Sequence, residues 1–192
     1  MSLDGIVLAG GPGTRLGVPK AGVMLGGLTL VERAVAILSR RCDRVVVVSR
    51  PEVVLSPLAA EVILDRAGPD CPLTAVATGL AAVEAQRVVV LGCDLPFAGP
   101  ALDALLATDA EGAVVAAAAG RLQPLCALYP RVAALAVAEE LLAAGRLRAT
   151  GLPEVLGAVI VSDCWDALMN LNTPADLARA EARLRLDTRR ER

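Results

Sequence analysis

Two short runs of β-branched and aliphatic residues set the fold class of this 192-residue chain. Arg44–Ser49 has the sequence RVVVVS and Arg87–Gly92 has the sequence RVVVLG, and neither run alternates apolar with polar residues. Uninterrupted apolar runs of this length are typical of strands in a parallel sheet that is covered on both faces. Because the composition is 55% hydrophobic but only 2% aromatic, small aliphatic side chains must fill the core.

Helical patterns alternate with these runs. Thr29 and Glu32 fit a capping box, Pro100 fits the first position of a helix, and Thr173 fits an N-cap before a helix to about Leu186. The remaining predicted strands cover residues 5–9, 62–64, 113–119, 123–129 and 156–161, and the remaining helices 73–84 and 132–143.

This alternation predicts one α/β domain over residues 1–192, with the last few residues frayed. The expected architecture is a three-layer sandwich, in which a Rossmann-like, mostly parallel sheet carries helices on both faces.

Charge and residue types exclude several function classes. The net charge of −2 gives no electrostatic support for a nucleic-acid partner, and the absence of histidine excludes Ser-His and Cys-His nucleophilic mechanisms. We interpret the arginines near the end of the chain as a solvated helix end rather than a binding arm. These arginines are Arg183, Arg185, Arg189, Arg190 and Arg192.

The cysteines and the apolar segments bear on the compartment. Five cysteines without a C-x-x-C pair are interpreted as reduced thiols. No uncharged apolar run reaches the roughly 20 residues of a membrane span, and the N-terminus lacks a basic leader with a long apolar region. We therefore expect a cytoplasmic protein with no membrane partner.

The most informative motif is the glycine-rich loop of residues 8–20, LAGGPGTRLGVPK, which directly follows the first predicted strand. Gly10, Gly11 and Gly13 lack side chains, so the backbone can turn sharply and present N–H groups to phosphate oxygens. Arg15 offers a planar fork of donors for phosphate, and Lys20 offers a mobile point charge. The loop therefore predicts a site for a nucleoside triphosphate.

Two familiar phosphate-binding motifs do not fit this loop. A dinucleotide fingerprint starting at Gly11 and Gly13 needs a third glycine where the chain has Leu16. A Walker-type loop needs glycine before its lysine and serine or threonine after it, whereas Pro19 and Ala21 flank Lys20. An ordinary glycine-rich turn between strand and helix is the structural alternative.

Asp94 follows the buried run Arg87–Gly92 at its carboxyl end, where ligands bind in open parallel sheets. Its carboxylate is suited to Mg²⁺, which in turn holds triphosphate oxygens. Without the glycine-rich loop, a turn residue or helix cap would be the favoured interpretation of Asp94.

Four further polar residues have both a functional and a structural interpretation. Asp65 ends a short strand and suits a ribose or base contact, or a turn. Asn170 and Asn172 alternate along an extended piece and would face one way, toward a heterocycle or phosphate, or else cap the next helix. Arg121 lies between two apolar runs and either contacts substrate phosphate or covers a turn.

The motifs together resemble the molybdenum cofactor guanylyltransferases, within the nucleotidyltransferases of the sugar-nucleotide transferase fold. Leu8-Ala9-Gly10-Gly11 with Arg15 and Lys20 is similar to the signature of the whole superfamily. The narrower resemblance lies in later segments. These are 62–65 (VILD), 92–96 (GCDLP), 121–129 (RLQPLCALY) and 170–177 (NLNTPADL).

The resemblance implies transfer of GMP from GTP to molybdopterin-bound molybdenum, with release of pyrophosphate. It implies that Lys20 contacts phosphate, that Asp65 lies in the guanosine site, that Asp94 holds Mg²⁺, and that Asn170 and Asn172 face the pterin. It also implies molybdoenzymes or other cofactor-biosynthesis proteins as partners. Arg15, Lys20 and Asp94 are the expected catalytic residues. Arg121, Asn170 and Asn172 are expected on the acceptor side. The full expected nucleotide site is Leu8, Ala9, Gly10, Gly11, Gly13, Thr14, Arg15, Lys20, Asp65 and Asp94.

The chain departs from the family pattern beside the expected base. The family usually has Gly-Pro-Leu-x-Gly where this chain has Cys71-Pro72-Leu73-Thr74-Ala75, and often has Asn after the second strand, where this chain has Ser49-Arg50. A cytidylyl or sugar-phosphate nucleotidyltransferase and a non-catalytic nucleotide-binding regulator therefore stay open. A Rossmann-type oxidoreductase is disfavoured by the glycine spacing.

The expected mechanism is an in-line displacement, in which an acceptor phosphate oxygen attacks the α-phosphorus and pyrophosphate leaves. A phosphate nucleophile is already ionised at neutral pH, so the absence of histidine removes nothing that the reaction needs. Catalysis would come from positioning and from charge neutralisation by Mg²⁺, Arg15 and Lys20.

Overall fold

The structure is a computed structural model that describes residues 2–11, 13–162 and 166–190. For residues 188–190 it describes the backbone alone. Cys164 and Arg192, and the side chains of Arg189 and Arg190, lie outside the described part. The described strands are β1 (Leu3–Leu8), β2 (Met24–Leu25), β3 (Leu28–Thr29), β4 (Arg44–Ser49), β5 (Glu61–Leu64), β6 (Arg87–Gly92), β7 (Val114–Ala118), β8 (Arg121–Pro130) and β9 (Val159–Val161).

Six α-helices are described, together with a 3-10 turn at Lys20–Gly22. None of these helices is both long and apolar enough to cross a membrane. The helices are α1 (Leu30–Ser39), α2 (Pro72–Ala82), α3 (Gly99–Ala107), α4 (Arg131–Ala143), α5 (Gly151–Val155) and α6 (Pro174–Arg190).

Seven of the described strands form one sheet in the order β5-β4-β1-β6-β8-β7-β9. Parallel pairing joins β5, β4, β1 and β6, and also β7 and β9, whereas β8 runs antiparallel to both of its neighbours. The expected mostly parallel α/β sheet is therefore confirmed. The carboxyl ends of β5, β4, β1 and β6 meet along one edge of the sheet.

Side chains of β1 alternate between two cores. Val7 belongs to the cluster packed by α1 and α3, and Ile6 belongs to the cluster packed by α2, α4 and α5. Gly79 of α2 allows a close approach to the sheet, because a Cβ there would lie 2.6 Å from Cγ2 of Ile6. Small residues thus bring the helices onto both faces, as the aromatic-poor composition predicts.

The expectation of strands covered on both faces is confirmed for β4 and β6, and β5 differs from them. β5 is the edge strand, and its Val62 and Leu64 are 44% and 60% exposed. An apolar run of three or four residues does not distinguish an edge strand from an inner one.

Helix starts agree with the capping signals. The Thr29 hydroxyl accepts a hydrogen bond from the Glu32 N–H, and the Glu32 carboxylate accepts one from the Thr29 N–H, as in a capping box. Pro100 lies one residue inside α3, which begins at Gly99. α6 continues to Arg190, beyond the end expected near Leu186.

Candidate active site

The glycine-rich loop leaves β1 at the sheet edge where the parallel strands end. The Ala9 N–H donates to the Val48 carbonyl at 2.8 Å, and the Cys93 N–H donates to the Leu8 carbonyl at 3.1 Å. These bonds extend the ladder of β1 by one step on each side. The loop therefore begins between the ends of β4 and β6.

Gly10 and Gly11 face side chains that a Cβ would displace. A Cβ on Gly10 would lie 3.2 Å from Cγ of Arg50, and one on Gly11 would lie 3.3 Å from Cδ of Lys20. The two glycines thus let Arg50 and Lys20 lie close to the backbone of the loop.

Gly13 reverses the loop. It has φ +59°, and a Cβ there would lie 1.9 Å from the Val18 carbonyl oxygen. The Leu16 N–H donates to the Gly13 carbonyl, and the Lys20 N–H returns to the Gly11 carbonyl at 3.3 Å. This turn brings Lys20 back beside the start of the loop.

Lys20 is the centre of the site. Its Nζ donates to Oδ2 of Asp94 at 2.7 Å and to Oδ1 of Asn172 at 2.5 Å, so residues from three distant segments meet. Both charged side chains are largely buried, with 18% exposure for Lys20 and 20% for Asp94. Lys20 is also the only lysine in the sequence, among 19 lysines and arginines. A compact, mobile ammonium is therefore found at this one place in the chain.

Asn172 is held in position by the start of α6. Oδ2 of Asp176 accepts hydrogen bonds from the N–H groups of Asn172 and Thr173, at 3.1 and 2.9 Å. Burial acts to raise the pKa of Asp176, but hydrogen bonds from Thr173, Arg179 and these N–H groups outweigh it and lower the pKa to about 2. The carboxylate therefore remains charged near neutral pH. The Leu171 N–H also donates to the Asp94 carbonyl at 2.9 Å.

A cavity of about 380 Å³ opens beside Lys20 along the ends of the parallel strands. Six of the residues predicted to bind nucleotide line it, and they come from the loop, from the position after β5 and from the segment after β6. These six are Leu8, Gly10, Gly11, Lys20, Asp65 and Asp94.

Asp65 follows β5 and Asp94 follows β6, and the strands β4 and β1 lie between these two in the sheet. Its Oδ1 accepts a hydrogen bond from Oγ1 of Thr78 at 2.7 Å, and its N–H donates to the Ser49 carbonyl. The contact to α2 fixes the carboxylate at the cavity wall. Asp65 is thus an oriented acceptor for a polar ligand group.

The remaining predicted residues lie outside the cavity lining. Ala9 is buried in the core beneath the loop, and Thr14 and Arg15 are exposed farther along it. Arg121 is exposed at the start of β8, paired across a tight turn with Ala118. Their roles in binding stay predictions.

Asn170 and Asn172 make different contacts. Asn172 reaches Lys20, whereas Nδ2 of Asn170 donates to the Leu168 carbonyl at 3.4 Å. The segment is not a strand, so the strand periodicity behind the expected common face does not apply to it. Asn172 is the amide that belongs to the Lys20 cluster.

Two residues that the sequence reasoning did not select also line the cavity. Nη1 of Arg50 donates to Oδ2 of Asp70 at 3.0 Å, and Nη2 contacts the other carboxylate oxygen. Arg50 directly follows β4, as Asp65 directly follows β5. A charged residue at the carboxyl end of a buried parallel strand is the signal that could have identified Arg50.

The segment that departs from the family pattern forms the start of α2 and part of the cavity wall. Cys71 is the N-cap residue, Pro72 is at N1, and Sγ of Cys71 lies 3.3 Å from Oγ1 of Thr74. The Thr74 hydroxyl donates to the Pro69 carbonyl at 2.7 Å. Cys71, Pro72 and Ala75 all line the cavity.

The acidic groups suit a cation that takes most of its ligands from substrate. Within the described ranges, no three His, Cys, Asp or Glu side chains gather as a metal cluster. Oδ2 of Asp94 binds Lys20, and its Oδ1 faces Gly92, where a Cβ would lie 2.8 Å away. Burial, with Asp94 nearby, raises the pKa of Cys93, which keeps that thiol neutral. A single carboxylate with phosphate and water ligands fits Mg²⁺ better than zinc.

Comparisons with known proteins agree with this arrangement. Residues 5–176 match the MobA-like NTP transferase domain. A molybdenum cofactor guanylyltransferase of Cereibacter sphaeroides is 38% identical over 97% of this chain and 100% of its own length. A probable molybdenum cofactor guanylyltransferase of Chloroflexus aggregans is 35% identical over 96% of both chains.

Solved structures show the same architecture. The molybdopterin-guanine dinucleotide biosynthesis protein A of Archaeoglobus fulgidus superposes with a TM-score of 0.72 at 27% identity, over 93% of this chain and 97% of its own. The 2-C-methyl-D-erythritol 4-phosphate cytidylyltransferase of Thermus thermophilus has a TM-score of 0.75 at 24% identity, over 96% and 100%. The second likeness concerns the fold alone.

Proposed function

This chain belongs to the MobA-like NTP transferase family, and we propose that it transfers GMP from GTP to the molybdenum cofactor. The products are the guanine dinucleotide form of the cofactor and pyrophosphate. The names of relatives at 35–38% identity over nearly the whole chain support this assignment. The structural likeness to the Archaeoglobus protein supports it as well.

The observation that carries the proposal is the contact of Lys20 with Asp94 and Asn172. Lys20 comes from the glycine-rich loop, Asp94 from the end of β6 and Asn172 from the segment before α6. A cation, an acid and an amide are thereby gathered at the mouth of a cavity at the carboxyl edge of a parallel sheet. Ligands bind at such edges in open α/β folds.

The phosphates of GTP would bind between the loop and Lys20. A triphosphate carries about three to four negative charges at neutral pH, and backbone N–H groups of a glycine-rich loop with a lysine can neutralise part of them. Gly10 and Gly11 line the cavity next to Lys20. Lys20 would exchange its bond to Asp94 for bonds to phosphate, which leaves the carboxylate free.

Asp94 would then hold a divalent cation, for which we propose Mg²⁺. Bound there, the cation would supply positive charge that neutralises the phosphates and the leaving pyrophosphate. Asp94 is positioned for this role by its own backbone, since its carbonyl accepts from the Leu171 N–H.

The reaction needs no general base from the protein. An ionised phosphate oxygen of the pterin acceptor attacks the α-phosphorus, a new P–O bond forms, and the bond to the bridging oxygen of pyrophosphate breaks. Lys20 stabilises negative charge on the reacting phosphates, and the loop backbone holds them in line. The absence of histidine from the sequence is compatible with this chemistry.

The acceptor would approach from the side of Asn172. Its amide bonds Lys20, so it links the phosphate site to the segment before α6. We assign Asn172 to the acceptor side on this basis, with Asn170 and Arg121 as further candidates. Arg15 is exposed on the loop, and in this proposal it contacts phosphate once the nucleotide has bound.

Pyrophosphate release with each of GTP, ATP, CTP and UTP, with and without molybdopterin, tests the proposal. We expect release that requires both GTP and molybdopterin. Release with CTP alone among the triphosphates would identify a cytidylyltransferase, and release with a sugar phosphate would identify a nucleotide-sugar enzyme. Nucleotide binding without release under any condition would indicate a regulator.

A further inference from the structure

The pair formed by Arg50 and Asp70 lies where the main cavity meets a second, adjoining cleft. Both residues line the main cavity, and both also line the adjoining cleft that continues past Pro51 and Pro69. The pair therefore stands between an inner chamber that holds Lys20 and an outer, more open one.

The strand order gives the separation of the two ends. Lys20 contacts Asp94, which follows β6, whereas Arg50 follows β4, two strands away. Neighbouring strands lie about 4.8 Å apart, so the two strand ends are separated by roughly 10 Å. This is the scale of a nucleotide that lies across the sheet edge. A nucleotide that has its phosphates at Lys20 and extends along the sheet edge toward β4 would bring its base to Arg50.

The guanidinium of Arg50 has N–H donors that Asp70 does not use. Of its five N–H groups, Asp70 takes one on each Nη, which leaves the Nε–H and one further N–H on each Nη. The Arg50 side chain lies against the loop, because a Cβ on Gly10 would be 3.3 Å from Nε. Asp70 thus fixes the plane of the guanidinium, and the Nε–H with the adjacent Nη N–H forms a second fork of donors.

A planar pair of donors matches guanine among the common bases. Guanine presents two adjacent acceptors, O6 and N7, which arginine binds in a bidentate manner. Adenine presents an amino donor in place of O6, and neither pyrimidine has this pair of acceptors.

We propose that Arg50, oriented by Asp70, is the base-specificity residue of this chain and recognises O6 and N7 of guanine. This inference rests on the proposed function, since it takes GTP as the donor. The departures from the family pattern fall around this pair, at Arg50, Cys71 and Ala75. The family often has asparagine in the segment where this chain has Arg50, and glycines where it has Cys71 and Ala75. This chain therefore recognises the base with a charged side chain that the usual family pattern lacks.

The test is calorimetric titration with GTP, 7-deaza-GTP, which lacks the N7 acceptor, and ITP, which keeps O6 and N7 but lacks the 2-amino group. The wild-type protein is expected to bind 7-deaza-GTP about 10-fold more weakly than GTP, the scale of one hydrogen bond to a charged donor. In Arg50→Met and in Arg50→Ala, neither of which has a side-chain donor for N7, GTP and 7-deaza-GTP should bind equally. ITP should follow GTP, with the same loss on each substitution.

A matched control exists on the same strand. Arg44 at the start of β4 pairs with Glu61 at 2.6 Å, far from the cavity, so Arg44→Met should keep the wild-type preference for GTP over 7-deaza-GTP. Melting temperatures of the Arg50 variants close to that of Arg44→Met would show that they are folded.

The failures of the two proposals are distinguishable. If the wild-type protein releases pyrophosphate from GTP but the Arg50 variants keep the 10-fold preference over 7-deaza-GTP, the role of Arg50 is refuted and the activity stands. The same holds if ITP binds much more weakly than GTP, because recognition then lies at the 2-amino group. If no variant and no wild-type protein binds GTP, the proposed function itself fails.

Discussion

The ε-amino group of Lys20 lies 2.7 Å from a carboxylate oxygen of Asp94, although the two residues are 74 positions apart in the sequence. The contact joins the glycine-rich loop after β1 to the end of the neighbouring strand β6. Without ligand, each charge offsets the other in a largely buried place. With a triphosphate and a divalent cation bound, each would take a new partner, so the ion pair marks the place where both are expected.

Replacement of Asp94 tests the cation site. Asp94→Ala is expected to lower turnover by at least about 100-fold, because one main electrostatic stabiliser of the transferred phosphate is lost. The measurement is pyrophosphate release at saturating Mg²⁺. Asp103→Ala removes a carboxylate on α3 that pairs with Arg41, and this variant should keep turnover near the wild-type value. Near-normal turnover of Asp94→Ala would remove the metal from our account.

Replacement of Lys20 tests which phosphates it contacts. Lys20→Ala should weaken GTP binding by about 10-fold or more, since a charge-assisted hydrogen bond is lost, while GMP binding changes much less. Titration with both nucleotides measures the difference. Arg185→Ala, an exposed arginine paired with Glu181, should affect neither ligand. Equal losses for GTP and GMP would contradict the contact of Lys20 with the distal phosphates.

Alanine substitutions at two glycines of the loop form a matched pair. Gly13 and Gly17 both have positive φ, at +59° and +74°, so alanine carries a similar backbone penalty of about 1–2 kcal/mol at each. Only at Gly13 would the new Cβ clash, 1.9 Å from the Val18 carbonyl, whereas at Gly17 nothing lies within 4 Å. We expect Gly13→Ala to weaken GTP binding by more than about 10-fold and Gly17→Ala to leave it nearly unchanged.

Calorimetry with GTP, supported by melting curves for both proteins, decides this comparison. If the two variants bind GTP alike, the return of the loop from Gly13 to Lys20 does not shape the phosphate site.

The depressed pKa of Asp176 predicts a pH dependence of stability. A carboxyl with a pKa of about 2 in the folded protein and about 3.9 in the unfolded chain adds stability that is fully present above pH 4. That stability is lost as the pH falls toward 2. At pH 7, Asp176→Ala should lower the free energy of unfolding by about 1 kcal/mol, as loss of a helix cap does.

Urea unfolding of the wild-type protein and Asp176→Ala at pH 7, 4 and 2 measures this effect. The difference between them should shrink toward pH 2. Asp187→Ala, which removes a more exposed carboxylate near Arg183 on the same helix, should show a smaller difference throughout. A difference between the wild-type protein and Asp176→Ala that does not change with pH would contradict a role for the charged form.

Much of the fold follows from local sequence. The uninterrupted run RVVVVS predicts β4 at its observed bounds, and Thr29 with Glu32 predicts the start of α1. The antiparallel direction of β8 could not be predicted, because an apolar run carries no information about direction. The five-residue helix α5 was missed because Gly151 and Pro153 within it are typical of loops.

The candidate site was predictable to the extent that it follows chain topology. Lys20, Asp65 and Asp94 were each predicted to contact nucleotide, and they do line one cavity, because the carboxyl ends of parallel strands share one edge of the sheet. The pairing of Arg50 with Asp70 was not predictable, since it depends on how the segment before α2 folds back over the loop. At Arg50 the sequence showed only that the asparagine often found in the family is missing.

The most direct test of our account is the fate of the phosphorus atoms of GTP. Purified protein would be incubated with the molybdenum-loaded pterin, Mg²⁺ and GTP labelled at either the α or the γ phosphate. We predict that the α label enters the pterin dinucleotide product in a 1:1 ratio with the γ label released as pyrophosphate. If the α label stays in GTP, or is released as free GMP while the pterin remains unlabelled, this chain does not transfer GMP to the cofactor.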